Sequence, residues 1–133
     1  MSSAMVVASR IAVAVVFVGV FVTWVADGPV GLDGTEGPNN GWLVVILAPL
    51  ALWWIRLLQR GSWTGVAGLL GTGLVIGWTA LENWLDSRAT IGASPGLGLV
   101  LVLGASLVLV VVAVARGVEL GRELRHRASE RVA

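Results

Sequence analysis

Residues 97–115 read LGLVLVLGASLVLVVVAVA, a run without one charged side chain. As a helix rising 1.5 Å per residue it would be about 28 Å long, close to the ~30 Å thickness of bilayer hydrocarbon. Three further apolar runs of similar length occupy residues 7–26, 42–58 and 63–85. None shows the apolar-polar alternation of a barrel strand, and a backbone in hydrocarbon must satisfy its own hydrogen bonds, so each run reads as a helix. Valine is abundant in the first and last runs, yet its strand preference carries little weight where lipid offers the backbone no other partner. The expected fold is an all-α integral membrane protein, a bundle of four transmembrane helices over residues 1–115, followed by a basic, helical tail over residues 116–133.

Composition agrees. The chain is 56% hydrophobic and 13% charged, with a mean hydropathy of +0.88. A soluble domain carries roughly 25% charged residues, and one of this length could hide only about two thirds of its unfolded surface. Cysteine is absent and the single histidine, His126, lies in the tail, which removes thiolate chemistry and histidine-rich metal sites. The net charge of +1 does not suggest nucleic acid as a partner.

Arg10 before an apolar run could mark a signal peptide, but Trp24 stands where a small residue would be needed for cleavage near Ala26, so the segment is expected to be retained. Arginine sets the orientation. Arg10, Arg56, Arg60, Arg116, Arg122, Arg125, Arg127 and Arg131 fall on one side of a four-span topology, with only Arg88 on the other beside Asp27, Asp33, Glu36, Glu82 and Asp86. The positive-inside rule then puts both termini in the cytoplasm. Trp24, Trp42 and Trp84 near the outer ends and Trp53, Trp54 and Trp63 near the inner ends are expected to anchor the helices at the two interfaces. Trp78, the deepest, is the tryptophan expected to pack between helices instead. The outer loop DGPVGLDGTEGPNNG, residues 27–41, is expected to be short, polar and irregular, and Ser94-Pro95 to cap and open the fourth helix.

The third run carries Gly65, Gly68, Gly71, Gly73 and Gly77, with a G-x-x-x-G step at the end of the series. Small residues let membrane helices approach closely, so this helix is expected at the centre of the bundle or at a dimer seam. GTGLVIG, residues 71–77, lacks the strand and helix context of a nucleotide-binding loop. Pro49 should kink the second helix. Glu82, Asp86 and Arg88, with Asn83, form the only polar cluster at a helix end, where an acid could hold a cation or relay a proton, or else pair with Arg88 or water. No acid, base and nucleophile come together in the sequence, so no catalytic, cofactor or metal site is expected and the chain reads as non-enzymatic.

TWVADGPVGLDGTEGPNNGWLVVILAPLALWWI, residues 23–55, and LDSRATIGASPGLGLVLVLGASLVLVV, residues 85–111, resemble small four-helix membrane proteins of actinobacteria. In these an outer loop with a Gly-Leu-Asp-Gly turn, here Gly31 to Gly34, leads through a tryptophan into the second helix. The resemblance implies an architecture and no activity. The functional expectation is a structural or accessory subunit that packs against a larger membrane partner; the alternative is a small transporter or ion channel built from several copies, with Glu82 as its ionisable site.

Overall fold

The Ser2 hydroxyl accepts a hydrogen bond from the Met5 amide at 3.2 Å, and this N-cap starts α1, Ser3–Val20. The computed structural model describes residues 1–27, 30–33, 41–89 and 93–132. Three more helices follow: α2, Gly41–Gln59, α3, Trp63–Ala89, and α4, Leu97–Val132. All four are long and apolar enough to cross a membrane, the architecture of a multi-pass membrane protein. At 36 residues α4 is about 54 Å long, so its second half carries the charged tail well beyond the length of a span.

The helices form a ring. α1 packs on α2 and α4, and α3 packs on the same two neighbours, the up-down arrangement that short connections favour. No helix is central, so the expectation of α3 at the bundle's middle is corrected: its glycines serve two flanking seams. The buried core is aliphatic, with Val16, Val20, Val44, Ile55, Leu58, Leu69, Ile76, Leu99, Val102 and Leu109 almost wholly enclosed. The opposite faces are equally apolar, presenting Ile11, Phe17, Ile46, Leu74, Trp78, Leu107 and Val111 outward. A helix that is hydrophobic all round suits a membrane span or the interior of a large protein.

Two boundaries differ from the sequence reading. The first helix stops at Val20, not near Ala26, because Phe21 and Val22 turn the chain, their amides bonding the Val18 and Gly19 carbonyls at 3.0 and 3.3 Å. The β-branched and aromatic residues that follow then extend as β1, Thr23–Asp27. β1 pairs antiparallel with β2, Val30–Asp33, and with β3, Ala93–Pro95. The outer loop is therefore partly ordered as paired strands rather than irregular, while residues 28–29 and 34–40 lie outside the described part. Likewise Pro95 ends a strand instead of opening α4: Ser94 is registered opposite Ala26, and Pro95 is tolerated because β3 is an edge strand. The small sheet lies over one end of the bundle, with β1 against α1, α3 and α4.

Candidate functional site

The five glycines of α3 divide by direction. A methyl group added at Gly65 would meet the backbone of Leu57 and Leu58 at 2.8 to 2.9 Å, and one at Gly68 would overlap the Trp54 indole. Both therefore set the α2–α3 seam. Gly73 and Gly77 face α4, their added methyl groups reaching Val110 and the Ser106 hydroxyl at 3.0 Å. Gly71 points into open space. Ser106 is buried and its hydroxyl donates to the Leu103 carbonyl at 2.8 Å, which satisfies its only donor within its own helix.

The tryptophans sort differently from expectation. Trp54 packs between helices, filling the notch above Gly68; its indole N–H is buried without a hydrogen-bond partner among the described residues. Trp78 is 64% exposed and faces outward. Trp42, Trp53 and Trp63 are exposed near helix ends, and Trp84 is partly buried against the core. Trp24 lies in β1, and its side chain is outside the described part.

At the sheet end of α3, Glu82, Asp86 and Arg88 all point away from the bundle. Among the described residues no ion pair joins Glu82 to Arg88. Asn83, between them, turns inward and donates to the Thr79 carbonyl at 2.9 Å. The cluster is thus split by helical phase, with the amide inside and the charges outside. Among the described residues no group of histidines and carboxylates could hold a metal ion.

The most built polar centre lies at the other end and is Arg116, which the sequence reading assigned to the tail. Its side chain is buried, the residue only 5% exposed. Nε donates to the Leu58 carbonyl at 3.0 Å, and Nη1 donates to Glu119 Oε1 at 2.6 Å. The Met1 ammonium reaches the same carboxylate oxygen at 3.1 Å. These two cations hold Glu119 below the usual carboxylate range, the hydrogen bond from the N-terminal ammonium being the largest cause and Arg116 a further one.

Leu58 belongs to the last turn of α2, which closes in a Schellman arrangement. The Ser62 amide bonds the Leu57 carbonyl and the Gly61 amide the Leu58 carbonyl, both at 3.0 Å, with Gly61 at φ 75°. Arg116 therefore adds a cation to the negative end of the α2 dipole, on a carbonyl already carrying one hydrogen bond. The signal was present in the sequence: Leu109, Val112, Ala113, Arg116 and Leu120 recur at three- and four-residue spacing, and all are buried.

Among the described residues, three open apolar grooves each lie between two neighbouring helices. The largest, about 680 Å³ between α3 and α4, has Gly73, Gly77, Gly104 and Ser106 along it and Leu74, Trp78 and Leu107 beside them. A second, about 510 Å³ between α1 and α4, shares Gly104, and a third of about 400 Å³ lies between α1 and α2. No protein family, curated protein or solved structure matches the chain.

Proposed function

We propose that this chain is a non-enzymatic subunit of the bacterial plasma membrane, with both termini cytoplasmic, that packs against a helix of a larger membrane partner. The observation that carries the reading is the α3–α4 groove. Its glycines leave a channel along the lipid-facing surface, and a methyl group at Gly104 would meet nothing within 4 Å. Among membrane helices, association rests largely on such close packing, because lipid is as apolar as the side chains themselves. An unfilled groove of small residues flanked by Trp78 and Leu107 suits an incoming helix.

Native mass spectrometry of the protein, gently extracted from its source membrane at natural abundance, tests this. A stoichiometric foreign subunit that disappears with Gly104→Leu is expected. Monomer mass alone, from wild type and variant, would overturn the proposal. A homo-oligomer would favour the small transporter or channel. Glu82 faces away from its own bundle, so such a pathway would run between copies, and Glu82→Gln should then abolish flux in reconstituted vesicles.

A further inference from the structure

The groove between α1 and α2 differs from the other two in carrying charge. Val13, Ala14, Phe17, Val18, Ala48, Pro49 and Leu52 line it, and Arg10 stands at one end. Arg10 is exposed and lies seven residues into α1, about 10 Å from the end of the helix. On α2, Pro49, Leu52 and Arg56 follow at spacings of three and four, so they form one stripe along the same side, and Arg60 follows just past the helix end. Arg56 and Arg60 are exposed too. Of these three arginines Arg10 lines the apolar cleft itself, and Arg56 and Arg60 continue the Pro49 side of α2 toward the arginine-rich end of the bundle, a ladder in sequence.

Among the described residues Arg10, Arg56 and Arg60 make no ion pair. The carboxylates at this end, Glu119, Glu123 and Glu130, all belong to α4, which borders α1 and α3 and stands across the ring from α2. Glu119 is already held by Arg116 and the Met1 ammonium, and Glu130 meets His126. An arginine this far inside a span is costly unless its long stem carries the head back toward the interface or an anion meets it there.

We propose that the α1–α2 groove is a binding site for an anionic phospholipid, with the phosphate held by Arg10 and Arg56, Arg60 assisting at the surface, and one acyl chain lying along Ala14, Ala48 and Pro49. Ala14 and Ala48 keep the lining small, Phe17 and Leu52 are exposed beside them, and Arg10 is the one charged residue of the lining, at the end where a headgroup would sit. Basic pockets between spans bind lipid phosphates in this way. An arginine fork matches a phosphate through paired hydrogen bonds. A partner's carboxylate would itself have to be buried in the membrane to reach Arg10, whereas the phospholipid brings phosphate and acyl chain together. This site is separate from the α3–α4 groove, so either can fail without the other.

The test is native mass spectrometry of the delipidated protein in detergent, titrated with phosphatidylglycerol, cardiolipin or phosphatidylcholine. The two anionic lipids should bind in preference to phosphatidylcholine. Each arginine is expected to contribute roughly fivefold, so Arg10→Gln/Arg56→Gln together should weaken phosphatidylglycerol binding about 25-fold. The tail variant Arg125→Gln/Arg127→Gln should leave it unchanged. Ala14→Trp, which fills the groove and keeps every charge, should weaken binding of the lipid while leaving the tail untouched. Equal binding of all three lipids, loss of selectivity only in the tail variant, or a protein cross-linked at position 10 where lipid is expected would each overturn the site. Helical circular dichroism of each variant separates loss of the site from loss of the fold.

Discussion

Gly68→Ala isolates the contact that joins α2 to α3. The added methyl carbon would overlap the Trp54 ring at Cδ2, Cε2 and Cε3. Trp54 has two side-chain torsions and packs against the core, so either the ring leaves its position or the helices move apart. Overpacking of this kind costs about 1 to 3 kcal/mol. Replacing glycine by alanine in a helix returns about 1 kcal/mol, which leaves a net loss of about 0 to 2 kcal/mol. Gly71→Ala, one turn away on the same helix, gains the same propensity and meets nothing. The difference between the two variants should therefore be about 1 to 3 kcal/mol, with propensity cancelled. Reversible unfolding in mixed micelles, titrated with dodecyl sulfate and followed by circular dichroism, measures it. In a Trp54→Ala background the Gly68→Ala penalty should vanish, a coupling read from the double-mutant cycle. If Gly68→Ala matched Gly71→Ala in stability, or kept its penalty without the indole, the packing argument would be refuted.

The same unfolding assay addresses the Arg116 centre. Arg116→Met should destabilise by about 1.5 to 3 kcal/mol, the range for a hydrogen bond to a charged group, and Arg116→Lys should restore only part because it lacks the fork. Gly61→Ala should cost about 1 to 2 kcal/mol through its positive φ alone. Because Glu119 is held below its ordinary carboxylate range in the folded chain, its contribution is present above that ordinary value and is lost as pH falls through the lowered one. Glu119→Gln should flatten that acid limb of the stability profile, and an unchanged limb would exclude the carboxylate as its source.

Composition and run length were enough to announce four helices long and apolar enough to cross a membrane. Hydrocarbon permits few backbone arrangements, so a long uncharged run such as residues 97–115 has essentially one conformation available. The starts of α2 and α3 were likewise legible, because Gly41-Trp42 and Ser62-Trp63 stand where polar turns give way to apolar runs. The end of α1 was not. Val22, Thr23, Trp24 and Val25 suit a helix in lipid or a strand elsewhere, and only pairing with β2 and β3, the latter some 70 residues away, makes them a strand.

The same distinction governs the candidate sites. Five glycines on α3 could be counted from the sequence, but which of them meet α2, which meet α4 and which meet lipid depends on the helix's phase against two neighbours. That is why Trp54 rather than Trp78 fills a notch. Arg116 shows the limit most clearly. Its charge places it in the tail by composition, while burial depends on the Leu58 carbonyl, 58 residues away in sequence, coming within reach at the end of α2. Hydrophobicity is a local property that a sequence states directly, whereas the partner of a charged group is fixed only when the helices have packed.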